Sequence, residues 1–264
     1  MKNIERIKKI TPYRDINDVL YFLAQGIVKI FGDDLVGFYL TGSLSYGDFN
    51  EGRSDIDLAV VLKKPASREN IEAVKQLHLG VENISEKWSK RIECSYVPLK
   101  MLKNILPPIE PRPYAGGGLF YPEAIYGNEW LINNFLLYKY GIALIGPDFK
   151  TMVEPINMID VQKAHVRDLS KEWEPKISDT AYLENGHYQS YLVLNLCRLI
   201  YNIMRGYVVS KKAAASWAKK EYPQWKNLIE TADRWHYGVK MKRQIEVIEF
   251  IKFTVAKIKE HKLI

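Results

Sequence analysis

A chain of 264 residues, 47% apolar and 26% charged, has material for one large domain or two modest ones, each burying its own core. That balance excludes a disordered chain, and no apolar run approaches the ~20 residues needed to cross a bilayer. The net charge of +7 is concentrated at one end: residues 201–264 hold fourteen Lys/Arg against six Asp/Glu, so the rest of the chain sums to −1. The basic stretch could hold a polyanion such as RNA or a nucleotide triphosphate, but solvated helix faces explain most of its lysines, and no aromatic-basic interleaving of the RNA-binding kind accompanies it.

In chain order, MKNIERIKKI is basic but has no long apolar core and no cleavage site, so no signal peptide is read and the location is expected to be cytoplasmic. Residues 14–31 carry apolar positions at helical spacing, with Asp15 or Asn17 as caps and Gly32 after the end. Leu35–Leu40 reads as a buried strand leading to a turn at Thr41-Gly42-Ser43, and 55–62 as a second strand. Residues 67–88 read as one helix and 91–97 as a third strand. With five prolines and three glycines, 107–122 reads as a loop or lid. A helix through Leu131, Phe135 and Leu136 precedes a short apolar run, Ile142–Ile145.

Composition changes around 146–155. Beyond it only helical patterns recur, at 158–172, 188–206, 210–221 and 241–260. The expected architecture is an α/β N-terminal domain, a mixed sheet with flanking helices, over 1–152, and an all-α helical bundle over 153–264. The two cysteines, Cys94 and Cys197, lie far apart without metal-type spacing and fit reduced thiols, Cys94 as a packed core residue. The five histidines form no i,i+4 pair, which argues against zinc.

The chemistry is in GFYLTGSLSYGDFNEGRSDIDLAVVL, residues 37–62. Alternation along a strand puts Asp55 and Asp57 on one face, where folding alone would prefer Val or Ile. Adjacent carboxylates repel, and a divalent cation resolves the conflict; hard oxygen ligands suit Mg²⁺, which keeps waters and takes one or two carboxylates plus substrate phosphates. Gly42 lets backbone pass close to a phosphate, and Ser43 offers a hydroxyl and an N–H. Glu93, in RIECSYV, matches Ser95 in parity and opposes Cys94, so it faces polar neighbours. The local run of acids at 172–184, Glu172, Glu174, Asp179 and Glu184 against one lysine, reverses the charge of a basic protein and reads equally as a polar linker or as a pocket for a cation, in which Trp173 could stack.

Gly42-Ser43, Gly47 and Ser54-Asp55-Ile56-Asp57-Leu58 together resemble the signature of the DNA polymerase β-type nucleotidyltransferase superfamily. The order of elements, ALIGPDF at 143–149, and CRLIY followed by VVSKKAAASWAKKEYP resemble the aminoglycoside adenylyltransferases that act on streptomycin and spectinomycin. The resemblance implies an ATP- and Mg²⁺-dependent transfer of AMP to an antibiotic hydroxyl, with pyrophosphate released and two Mg²⁺ ions engaged. It implies metal binding by Asp55, Asp57 and Glu93, with Glu93 as catalytic base. Gly42, Ser43, Ser54, Asp55, Asp57, Arg198 and Lys211 would serve the nucleotide. Glu93, Trp130, Trp173, Asp179 and Glu184 would contact the acceptor. The expected partners are ATP and a small-molecule antibiotic, with no nucleic acid and no membrane, and the expected state is a monomer. Where the family carries an acidic Gly-Asp-Glu-Arg type of stretch, this chain reads Glu184-Asn-Gly-His-Tyr-Gln. A transferase acting on another small molecule, such as a lincosamide, or on a protein, or an idle nucleotide-binding protein of the antitoxin kind, are the alternatives.

Overall fold

The structure is a computed structural model that describes residues 4–261. In chain order its elements are α1 (Arg14–Phe31), β1 (Leu35–Leu40), the single turn α2 (Gly42–Ser45), β2 (Ile56–Leu62), α3 (Arg68–Gly80), α4 (Glu86–Ser89) and β3 (Ile92–Pro98). Then come β4 (Arg112–Gly116), β5 (Leu119–Ala124), α5 (Trp130–Tyr140) and β6 (Ile142–Ile145). The helices α6 (Met158–Asp168), α7 (Gly186–Arg205), α8 (Lys211–Glu221), α9 (Lys226–Arg234) and α10 (Gln244–Glu260) complete the order. The chain divides into two compact units. The first holds the chain through Phe49, then Ser54–Tyr126 and Asn133–Pro155; the second holds Asn50–Arg53, Gly127–Ile132 and the chain from Ile156 onward.

The first unit is built on one six-stranded mixed sheet in the order β5-β4-β3-β2-β1-β6. Only β2 and β3 run parallel, because α3 and α4 make the crossover between them; every other pair is antiparallel. One sheet face buries Phe38, Leu40, Ile56, Leu58, Val60, Cys94 and Tyr96 in the same core as Ile16, Leu20, Leu23 and Ile27 of α1. Burial pushes the Cys94 thiol up to about 12, which keeps it protonated as a packed core residue. On the opposite face of β1 the buried Tyr39 meets Phe149 edge to face, with centroids 5.5 Å apart, and its hydroxyl donates to the Pro147 carbonyl at 3.0 Å.

The second unit is helical. Its core is centred on α7, whose Leu192, Val193, Leu196, Leu199, Ile200 and Ile203 are buried with residues of α8, α9 and α10. Among the described residues no helix is long and apolar enough to cross a membrane.

Several sequence expectations are corrected. Residues 107–122 are no open loop: β4 and β5 form a hairpin closed at Gly117 and Gly118, whose φ angles of +60° and +78° suit a two-residue turn. Its prolines sit where a missing N–H costs no rung, Pro113 at the register shift between Arg112 and Tyr114, and Pro122 on the outermost strand. The helix expected over 67–88 ends at Gly80, passes through a 3-10 turn at Val81–Asn83, and restarts at α4, where the Ser85 side chain accepts from the Trp88 N–H and caps the new turn. The helix expected over 158–172 ends at Asp168 and continues as a wider π turn over Leu169–Trp173. Helix α9, unread in the sequence, follows the Pro223–Trp225 turn and buries Leu228, Ile229 and Ala232. Neither Asp15 nor Asn17 caps α1: Asp15 accepts from the Trp88 indole, and Asn17 exchanges hydrogen bonds with Thr11.

Gly117→Ala and Gly118→Ala should each cost about 1 kcal/mol in urea unfolding, since a Cβ opposes left-handed backbone. Unchanged midpoints would show that the turn does not depend on these glycines.

Candidate active site

In the first unit, β2 carries Asp57 on the face away from the core, between the buried Ile56 and Leu58. The parallel register pairs Asp57 with Glu93 of β3, and Ile56 with Ile92. Partners in such a ladder stand about 4.8 Å apart with side chains on the same face, so two carboxylates face solvent side by side. Like charges placed opposite each other destabilise a sheet, so the pair is a burden for folding. Asp55 lies just before β2, its Oδ1 accepting from the Arg91 Nε at 3.4 Å.

The Gly-Ser turn is fastened to the same place. The Thr41 N–H donates to the Asp57 carbonyl at 2.9 Å, and α2 follows at once. Gly42 adopts φ +63°, and a Cβ placed on it would overlap the Asp57 carboxylate, so only glycine fits over that side chain. Ser43 occupies the second position of α2, its carbonyl accepting from the Asp48 N–H at 3.0 Å; Ser54 gives its carbonyl to the Arg91 guanidinium. Gly42, Ser43, Ser54, Asp55, Asp57 and Glu93 thus converge on the ends of β1, β2 and β3.

Among the described residues no three carboxylate, histidine or cysteine groups stand together as a ready metal cage. The donor set still suits Mg²⁺, which takes one or two carboxylates and completes its shell with water and phosphate oxygen. Asp57 and Glu93, paired across the ladder, and Asp55 two residues before Asp57 would hold it.

In the second unit, Arg198 on α7 is 8% exposed. Its Nη2 donates to Asn195 Oδ1 at 2.9 Å, and its Nε is buried without a hydrogen-bond partner. Lys211 opens α8 after the Ser210 cap, with Nζ 4.1 Å from the Tyr191 ring centroid. Trp130 is buried at the start of α5. Trp173 departs from the expected open stacking face: it is 8% exposed, lies in the helical core, and donates its indole N–H to Asp168 Oδ2 at 2.7 Å. Asp179 and Glu184 are exposed, and Glu184 lines a cavity of about 410 Å³ with Leu183, Gln189 and Arg243.

Two titratable groups in this unit escaped the sequence reading, because nothing in their local pattern announces burial. Burial, with Glu129 and Glu172 nearby, pushes the Asp168 carboxyl up to about 7, although the Trp173 hydrogen bond and Arg198 pull it down. Burial, and then Arg198, pushes the His165 imidazole down to about 3, so it is neutral. The signs oppose. Asp168 keeps a proton that the unfolded chain loses, so its contribution falls as pH rises from about 4 to about 7. His165 refuses a proton that the unfolded chain accepts, so its contribution rises between about 3 and 6.5. The two offset each other between about pH 4 and 6.5. Asp168→Asn, which keeps an acceptor for Trp173, should therefore give a melting temperature that climbs more steeply with pH than that of the wild type; superimposable pH profiles would refute the assignment.

A nucleotidyltransferase domain model matches residues 24–106, and a model described as the aminoglycoside adenylyltransferase C-terminal domain matches residues 151–258. No curated protein matches the chain. Among solved structures, a spectinomycin adenyltransferase AAD(9) from Enterococcus faecialis, with ATP and spectinomycin, is similar over 91% of this chain and 98% of that one. Its TM-score is 0.70 at 19% identity, a likeness of fold. A toxin-antitoxin structure with AMP-PNP aligns over 60% of this chain and 94% of that one at 17% identity, but its TM-score of 0.26 is too low to bear on the fold. The chain therefore carries a nucleotidyltransferase domain followed by an aminoglycoside adenylyltransferase C-terminal domain, the make-up of a nucleotidyltransferase enzyme of the aminoglycoside adenylyltransferase type.

Proposed function

We propose that the protein transfers AMP from ATP, with Mg²⁺, to a hydroxyl of an aminoglycoside or aminocyclitol antibiotic, spectinomycin or streptomycin, and so inactivates it. The observation that carries this reading is the Asp57–Glu93 pair in parallel register beneath a Gly42-Ser43 turn that only glycine can make. The AAD(9) structure supports it, since a protein of this fold holds ATP and spectinomycin. Two cations, when bound, supply charge that stabilises the attacking and leaving oxygens of an in-line displacement.

The chain's own residues do the rest. Asp55 and Asp57 would hold the metal and with it the triphosphate against the sheet, while Ser43 and Ser54 border the phosphates. Glu93 takes the proton of the acceptor hydroxyl, whose oxygen forms the new bond to the α-phosphorus as the bond to pyrophosphate breaks. Arg198 and Lys211 bind triphosphate charge. Asp179 and Glu184 attract the cationic acceptor, and Trp130 and Trp173 support that site from their buried positions. The added phosphate brings negative charge and bulk to a drug that binds an RNA site as a cation.

The direct experiment incubates protein with MgATP and a panel of antibiotics and weighs the products. A gain of one AMP on spectinomycin or streptomycin is expected; gain only on a lincosamide or a protein would move the acceptor, and no gain on any acceptor would reject the reading. Asp55→Asn and Glu93→Gln should abolish pyrophosphate release with the fold intact, and normal turnover by either would refute its role. Gly42→Ala should lower kcat/KM by about tenfold or more, because its Cβ and the Asp57 carboxylate cannot share one space.

A further inference from the structure

Arg91 is a long cation yet only 8% exposed, and a buried charge needs partners. It has three. Its Nε donates to Asp55 Oδ1 at 3.4 Å, its Nη2 donates to the Ser54 carbonyl, and its guanidinium lies over the Trp88 ring, 4.7 Å from the centroid. Trp88 is fully buried, and its indole N–H donates to Asp15 Oδ2, 2.5 Å away in the first turn of α1. The ring is therefore fixed by a helix on one side and carries the guanidinium on its face.

The Arg91 backbone serves the same stretch. Its N–H donates to the Trp88 carbonyl at 2.9 Å, and its carbonyl accepts the Ile56 N–H at 2.8 Å, one residue beyond Asp55. Asp55 precedes β2 and lies outside the β2–β3 pairing, which starts at Ile56 and Ile92. Left to itself, a carboxylate there would have rotamer freedom to lose on binding a cation. Arg91 removes that freedom by gripping the Ser54 carbonyl and one Asp55 carboxylate oxygen with one rigid fork.

We propose that Arg91 is a positioning residue for the Asp55 carboxylate, carried in turn by Trp88 and Asp15; the proposal rests on the reading of Asp55 as a magnesium ligand. The guanidinium charge by itself opposes a cation, so its benefit lies in geometry. Arg91→Lys separates the two, because it keeps the charge and loses the fork.

The test measures Mn²⁺ affinity by electron paramagnetic resonance in the presence of ATP without acceptor, with circular dichroism to confirm folding. Arg91→Lys should weaken Mn²⁺ binding by about tenfold, the scale on which partners of metal ligands act. Trp88→Phe keeps a ring under the guanidinium but drops the N–H to Asp15; it should weaken binding by about threefold, and it decides the matter if Arg91→Lys does not fold. Asp55→Asn tests the underlying reading separately. If Asp55→Asn loses Mn²⁺ while the folded Arg91 and Trp88 variants bind it like the wild type, Arg91 is structural only and the proposal is overturned. If Asp55→Asn binds Mn²⁺ normally, Asp55 is no ligand and both claims fail.

Discussion

Two carboxylates held abreast across a parallel ladder are the constraint to which the first unit is built. Asp57 opposite Glu93 costs the sheet repulsion, and the register survives because the other face is secured by apolar neighbours. Ile56 beside Ile92, Leu58 beside Cys94 and Val60 beside Tyr96 are buried against α1. A slip of one residue would drive the carboxylates into that core and expose Leu58, so burial on one face enforces charge on the other. The Gly42 turn closes the arrangement, because its backbone occupies the space directly over Asp57.

Much of this was legible in the sequence because it depends on short-range rules. Strand parity alone assigns Asp57 and Glu93 to the face opposite Leu58 and Cys94. The apolar spacing of residues 14–31 and the apolar run Leu35–Leu40 give α1 and β1 their extents. What escaped depends on partners distant in the chain. A stretch rich in proline reads as a loop until its prolines are seen at a register shift and on an outer strand. Arg91 stands two residues from Glu93 in plain view, but its role needs Trp88, and Trp88 needs Asp15 from α1. Trp173 reads as a free aromatic until Asp168 is found to hold its indole inside the helical core.

The distribution of charge in the helical unit follows the same division between surface and interior. The lysines that make the C-terminal third basic include exposed ones paired with nearby acids, Lys252 with Glu249 and Lys257 with Glu260, contacts worth little in water. Among the described residues Arg198 is a buried cation, near an imidazole that burial keeps neutral and a carboxyl that burial pushes toward the protonated form. Net charge describes the first set, whereas a nucleotide would be sensed by the second.

The central claim is that the paired carboxylates on β2 and β3 exist to hold a cation that carries nucleotide. The most direct measurement is an anomalous-diffraction map from crystals grown with Mn²⁺ and a nonhydrolysable ATP analogue. The account predicts a manganese peak in contact with Asp57 and a phosphate oxygen, beneath the Gly42 turn. A nucleotide bound with its metal elsewhere, leaving Asp57 and Glu93 facing only water, would contradict it.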